Sequence, residues 1–318
     1  MKKVTVIIPV YNSQEWLSRL LDTVILQDFG IENIELILVN DKSTDQSLEI
    51  IKSYSQQYPE SIQYIDKKIN EGVAAARDDG LKRVNTPYFM FLDNDDFIDS
   101  DYVSVLYREI ESEALDLVIS GYRLVDINKE VIKTNSYEVK YGANYEAPCI
   151  WGSIHRTDYV RLHEISYRGR SGDDMGFVYQ EFLYTNKIKY IPYIGYNWFE
   201  NSSSLSRGGR PNIEKNIYEI LDFLKVGMAN NKIGDYKYNY YLIYTVFYSY
   251  HLLSSKASVK DFKRYFYVLI ENMKQVYPQW TKLKVPENTN SKIRLFMFIY
   301  KNIFRFKLVG VFSRLICR

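Results

Sequence analysis

The chain has 318 residues, 46% of them apolar and 25% charged, with a formal charge of +2. Such a length exceeds one comfortable core and predicts a large domain with a smaller companion, while so small a net charge gives no ground for nucleic-acid binding. Two cysteines, Cys149 and Cys317, stand far apart and in no CxxC spacing, which argues against a disulfide framework or a cysteine zinc site.

The N-terminal run VTVIIPV, residues 4–10, is apolar and β-branched, the pattern of a strand buried on both faces. It is too short for a signal peptide, and no later stretch reaches the ~18 apolar residues of a membrane span. Residues 13–27 show helical spacing through Trp16, Leu20, Leu21, Val24 and Ile25, with Ser13 as the expected N-cap. A second buried strand is predicted over 34–40, a helix over 43–58, a short strand over 62–65, a small-residue helix over 72–84 and a fourth strand over 87–93. A helix over 101–113 and a strand over 115–121 follow. This alternation indicates a mostly parallel sheet with helices on its faces. From 122 to about 170 the pattern weakens, YRLVDI and VIKTNSYEVKY reading as edge or antiparallel strands. A helix opens at the carboxylate pair Asp173–Asp174, a strand covers 188–199, and the Ser- and Gly-rich segment 200–212 reads as a loop. Tyrosine, 30 in all, is more frequent in the second half, where helices are predicted over 213–230 and 236–255 with two more beyond. The tail 291–318 carries seven Lys or Arg and no acidic residue among interleaved aromatics. That pattern suits either a membrane interface or a helix docked on its own domain.

In open parallel sheets ligands bind beyond the carboxyl ends of the strands. Four polar clusters fall there: Pro9–Asn12, Asn40–Asp45, Asn70 with Arg77, and Asp93–Asp96. In FMFLDNDDF, Asp93 and Asp95 point to one side of an extended chain, an arrangement that suits a divalent cation completing its shell with water and phosphate. A calcium loop of the EF-hand kind is excluded, because Ile98 and Ser104 stand where it needs Gly and Glu. Taken alone, each cluster also reads as a solvated turn capping the next helix.

VTVIIPVYN, VNDKSTDQSLEI, NEGVAAARDDGL and YFMFLDNDDFI, in this order and spacing, together resemble the family 2 glycosyltransferases of GT-A fold. The resemblance is strong over about the first 100 residues and weaker at GDDMGF and SSSLSR. It implies that Pro9 and Tyr11 line a nucleotide pocket, Asp41 holds uracil, and Asn70 and Arg77 fix the base and phosphate region. It further implies that Asp93 approaches the ribose beside Asn94, that Asp95 with Asp93 holds Mn2+ or Mg2+ against the diphosphate, and that Asp174 is the catalytic base. Three positions depart from the family pattern: Asn40 for Asp, Lys42 for Gly and Asp78 for Asn. Arg207 and Arg210 are candidates for a lid over the diphosphate. Trp151 fits a core position better than an acceptor contact.

The expectation is therefore a GT-A catalytic domain over 1–205, its nucleotide-sugar part about 1–121 and its acceptor side about 122–205, followed by a helical region over 206–318. Its expected activity is metal-dependent, inverting transfer from a UDP-sugar to a glycan or lipid-linked acceptor in surface polysaccharide or wall-glycopolymer synthesis. The expected setting is cytoplasmic, with the tail at the membrane surface and a homo-oligomer among the options. A catalytically degenerate partner subunit is the alternative; a sugar-phosphate nucleotidyltransferase fits less well, because PVYNSQEW is no Gly-rich triphosphate loop.

Overall fold

The structure, a computed structural model, describes residues 1–145, 150–167, 174–200, 213–255 and 257–317, with 213–216 as backbone alone. The chain divides into two compact units, residues 1–167 with 172–208, and 168–171 with 209–318.

The first unit is built on a single sheet. Strands β1 (Val4–Val10), β2 (Ile34–Asn40), β3 (Ile62–Asp66) and β4 (Tyr88–Phe91) lie parallel in the order β3-β2-β1-β4. Every residue of β1 is buried, as its unbroken apolar run requires. Between these strands run α1 (Leu17–Ile25), α2 (Ser47–Gln57) and α3 (Val73–Leu81). Helix α3 carries small residues where it crosses the sheet: a Cβ at Gly80 would lie 2.4 Å from Ile7 Cγ2, so only glycine lets the helix come this close.

Beyond β4 the chain adds β5 (Phe97–Ile98), α4 (Tyr102–Ser112), β6 (Leu117–Val125), β7 (Val131–Asn135), β8 (Lys140–Tyr141), β9 (Ser153–Arg156), α5 (Thr157–Leu162), α6 (Asp174–Tyr184) and β10 (Ile188–Phe199). The sheet continues from β4 as β9-β6-β10-β5, with β7 on β6 and β8 on β10. β9 is antiparallel to both β4 and β6, β10 is parallel to β6, and β5 is antiparallel to β10. Of the two readings offered for YRLVDI, antiparallel pairing holds and an edge position does not: Tyr122–Val125 extend β6, antiparallel to β7 on one side and parallel to β10 on the other. Ser13 does not cap α1. It begins a turn whose carbonyl accepts from Trp16 and Leu17 N–H, and the helix starts at Leu17.

The second unit is helical: α7 (Ile213–Asn230), α8 (Tyr236–Ser254), α9 (Val259–Val276), α10 (Ser291–Arg305) and α11 (Val309–Ile316). Asp235 and Ser258 accept backbone N–H bonds at the N-termini of α8 and α9. The core of this unit holds Phe247, Phe262, Phe266 and Trp280 with Tyr238, Tyr240, Tyr241, Tyr250, Tyr265 and Tyr300, which accounts for much of the tyrosine excess. Helix α10 buries Ile293, Met297, Tyr300 and Ile303 and leaves Leu295 and Phe298 exposed. Among the described residues no helix is long and apolar enough to cross a membrane.

Candidate active site

The carboxyl ends of β1, β2 and β4 open into one cavity of about 780 Å³, in the upper part of the size range of small-molecule sites. Pro9, Tyr11, Asp41, Asn70, Arg77, Asp93, Asn94, Asp95 and Asp174 all line it. Asp173, Arg207, Arg210, Cys149 and most of the 200–212 segment lie outside the described residues.

The loop after β1 is stitched to the loop after β2. Asn12 N–H donates to Ser43 Oγ at 3.1 Å, Thr44 N–H to Asn12 Oδ1 at 2.8 Å, and Ser13 N–H to Ser47 Oγ at 2.7 Å. Gln14 N–H reaches Asp45 at 3.0 Å. The short polar residues of STDQS are thus spent on holding two loops in register.

Asp41 is buried at the end of β2. Its two carboxylate oxygens accept the N–H groups of Glu71 and Gly72 at 3.0 and 2.7 Å, and Lys67 Nζ lies 3.3 Å away. Lys67 is itself enclosed, with Glu71 at 3.0 Å and Asp79 at 3.4 Å. Burial opposes its charge, but the bond to Glu71 and the charges of Asp41 and Asp79 outweigh that effect and raise its pKa. Asp41 therefore fixes the turn that starts α3 and brings Asn70 and Arg77 to the cavity.

The departures from the family pattern have local causes. Buried Asn40 donates to Asp66 Oδ1 at 2.8 Å; a second carboxylate there would face the first. Lys42 has φ +63°, the left-handed region where glycine is at ease and a lysine is strained. Asp78 accepts Tyr167 N–H at 2.8 Å, a bond that Asn accepts as well.

Arg77 holds the centre of the site. Its buried guanidinium pairs with Asp93 at 2.5 Å and with Asp174, the first residue of α6. Desolvation opposes its charge, but Asp174, Tyr167 and Asp93 hold it firmly protonated. Two turns along α6, Glu181 forms a fully buried pair with His155 at 2.8 Å. Burial pushes the Glu181 carboxyl up, with His155 pulling it back. This pair anchors the helix that carries Asp174.

The turn Asp93–Asp96 is braced from behind. Asp96 is buried, accepts Phe199 N–H at 2.8 Å and the Tyr196 hydroxyl, and has its pKa pushed well up by burial and by Asp93 and Asp95. Arg19 donates to the Asp95 carbonyl at 2.5 Å, its guanidinium lying over Phe199 and Phe97 at 4.5 and 4.8 Å. Sequence reasoning missed Arg19, Lys67, Tyr196 and Trp198. Arg19 carried one signal, its place three residues after Trp16 on an amphipathic helix; the others stand in ordinary strand and loop patterns.

Among the described residues no group of three or more His, Cys, Asp or Glu is arranged as a metal cage. With Asp93 engaged by Arg77, the donor set fits a cation that takes one or two carboxylates and completes its shell with substrate phosphate and water. Asp95 also lines the cavity.

Residues 5–162 match the family profile described as "Glycosyl transferase family 2". The chain is 31% identical over 225 residues to glycosyltransferase GlyA of Streptococcus pneumoniae, covering 64% of this chain and 32% of that protein. It is 36% identical over 141 residues to the poly(ribitol-phosphate) beta-glucosyltransferase of Bacillus spizizenii, covering 43% of this chain and 22% of that protein. The chain thus spans a third or less of the length of both relatives. The solved structure of Staphylococcus aureus TarS 1–349 with UDP-GlcNAc superposes with a TM-score of 0.76 at 19% identity, over 98% of this chain and 91% of that one.

Proposed function

The chain belongs to glycosyl transferase family 2 through residues 5–162 and has a GT-A-like fold, and on that premise we propose that it transfers a sugar from a UDP-sugar to a hydroxyl of a wall glycopolymer or related surface glycan. The observation that carries this reading is the convergence of Asp41, Arg77, Asp93, Asp95 and Asp174 on one cavity. Residues 97 positions apart, Arg77 and Asp174, meet there, which independent turn caps would have no cause to do. One of these relatives is named as a poly(ribitol-phosphate) beta-glucosyltransferase, and a structural neighbour was solved with UDP-GlcNAc.

In this proposal Asp174 takes the proton of the acceptor hydroxyl as it attacks the anomeric carbon. One displacement with one base gives inversion, with no covalent intermediate. Asp95, with Asp93, would hold Mn2+ or Mg2+, whose positive charge would offset that of the departing diphosphate. Asp41, Asn70 and Tyr11 frame the base, and Asp93 faces the ribose. The proposed division places the donor and acceptor sites in residues 1–205 and assigns 206–318 a docking role, with the basic, partly exposed apolar helices α10 and α11 at the inner membrane surface.

The test is a thermal-shift series with UDP, GDP, CDP and TDP, each with and without Mn2+, on wild type and Asp95→Ala. Ligand at 100 times its Kd stabilises by ~2.7 kcal/mol, a shift of about 4 °C for a chain of this size. A UDP shift that requires Mn2+ and Asp95 is expected. No shift with any nucleotide on folded protein would turn the reading toward a degenerate partner subunit. A UDP shift indifferent to metal would remove the cation while keeping the donor.

A further inference from the structure

We propose that three residues outside the cavity, Glu181, His155 and Ser153, form a hydrogen-bond chain that positions Asp174 for its part in transfer; the proposal rests on the reading of Asp174 as the base. His155 lies on β9 and Glu181 on α6, and both are fully buried. His155 Nδ1 meets Glu181 Oε1 at 2.8 Å, its Nε2 meets Ser153 Oγ at 2.9 Å, and Ser153 Oγ donates to the Ile150 carbonyl at 2.6 Å. None of these residues lines the cavity. The two ends reach it through their neighbours. Glu181 shares α6 with Asp174, and Ile150 precedes Trp151, which lines the cavity and, contrary to the sequence expectation, is only half-buried.

The proton count of the chain follows from its donors. Ser153 gives its hydrogen to Ile150 and so accepts from His155 Nε2–H. With Nε2 protonated, the 2.8 Å contact at Nδ1 holds one further proton. Glu181 Oε2 is buried and has no hydrogen-bond partner among the described residues, which costs a carboxylate more than a carboxylic acid. Burial pushes the Glu181 carboxyl up, His155 pulls it back and Asp116 adds to the rise. Glu181 is therefore the donor, and a neutral chain runs from its carboxyl through imidazole and hydroxyl to a backbone carbonyl.

Packing carries the position of this chain to Asp174. Glu181 stands seven residues beyond Asp174, about 10 Å along the helix. Between them Phe177 stacks on Tyr167 at 4.9 Å and meets His155 and Phe91 edge-on at 5.9 and 5.8 Å. The Arg77 guanidinium lies 5.6 Å from the Tyr167 ring and pairs with Asp174. His155 itself is stacked on Phe89 at 4.9 Å and 14°. Aromatic contacts of this kind are broad in angle, whereas the hydrogen bonds of the chain fix distance and direction. An apolar pair of the same volume would fill the space without desolvating a carboxyl and an imidazole. What the chain adds is the register of α6, and with it the place where Asp174 meets Arg77.

The experiment compares the full wild-type chain with Glu181→Leu, His155→Phe, Ser153→Ala and Glu181→Gln, the last keeping a group that donates to Nδ1 as the acid does. In each, UDP release from UDP-glucose and from UDP-GlcNAc is followed in Mn2+ with poly(ribitol phosphate) or water as the acceptor, alongside the Kd for UDP. Glu181→Leu and His155→Phe are expected to lower the maximal rate about 30-fold, Ser153→Ala about fivefold and Glu181→Gln by no more than about threefold. The Kd for UDP should stay within about twofold throughout. Amide hydrogen exchange is read at Val178–Glu181, whose helical bonds end on the carbonyls of residues 174–177. It should quicken about tenfold in Glu181→Leu and His155→Phe and keep the wild-type rate in Glu181→Gln. An unchanged rate or unchanged exchange in folded Glu181→Leu and His155→Phe overturns the proposal, as does a Glu181→Gln variant as slow as Glu181→Leu. A loss of UDP affinity that matches the loss of rate also overturns it, being the mark of a merely structural role. Where the apolar variants do not fold, Ser153→Ala and Glu181→Gln decide by the same readings. Wild type that binds no UDP, or releases none, is a failure of the donor reading alone; the exchange comparison then decides the chain by itself.

Discussion

The two flanks of the cavity are made of different materials. Behind the flank at β1–β3 the support is polar: buried Asp41, Lys67 and Asn40 and the exposed Asp66 are tied by directed bonds between about 2.7 and 3.3 Å. The flank at β9 and β10 is a stack of Trp151, Tyr196, Tyr122 and Trp198. A buried charge or hydrogen bond has one good geometry and a large penalty when its partner is lost. Aromatic contacts are broad in angle and tolerate a change of ring. One flank is therefore suited to an invariant ligand part, such as a nucleotide, and the other to a part that varies in shape.

The strongest test lies at the seam between the flanks. Asp174→Asn should lower transfer on the order of 10³-fold, the range of a lost general base, with UDP affinity within about threefold; single-turnover transfer and a UDP titration measure both. On the polar flank, Lys67→Met leaves Asp41 and Asp79 without their buried cation and should destabilise by about 3 kcal/mol in denaturant unfolding. A comparable loss on the aromatic flank from Trp151→Phe would erase the distinction, because a ring-for-ring change there is expected to cost less than about 1.5 kcal/mol. Asn40→Asp should cost about 2 kcal/mol at neutral pH by setting a carboxylate against Asp66, and the loss should shrink in acid as one of the two takes a proton. Lys42→Gly relieves a left-handed lysine and should raise stability by up to about 1 kcal/mol, seen as a small increase in Tm.

The parallel half of the sheet was readable because β1, β2 and β4 are buried on both faces and each strand is separated from the next by a helix with its own period. From topology alone the ends of those strands were expected to gather at one place, and they line one cavity. What escaped was set by partners far away in sequence. Asp96 and Tyr196 meet across 100 positions and Asp93 and Arg77 across 16, and no local pattern in IPYIGYNWF marks Trp198 as a cavity residue. Ser13 was misread because its side chain serves the neighbouring turn rather than the helix that follows. The segment YRLVDI was readable as antiparallel, which its pairing with β7 bears out, but not as interior, because its other neighbour β10 arrives more than sixty residues later.

The place of β10 in the sheet has a consequence for how the protein is divided in the laboratory. The stretch that matches the family profile ends at residue 162, before both Asp174 and β10. A fragment cut there keeps all four N-terminal motifs yet leaves β6 without its parallel neighbour and buried Asp96 without Tyr196 and Phe199. An open strand edge beside an unpartnered carboxyl favours self-association over solubility. The recognisable sequence is thus shorter than the sheet it belongs to, and a boundary drawn after Phe199 keeps β10 with β6.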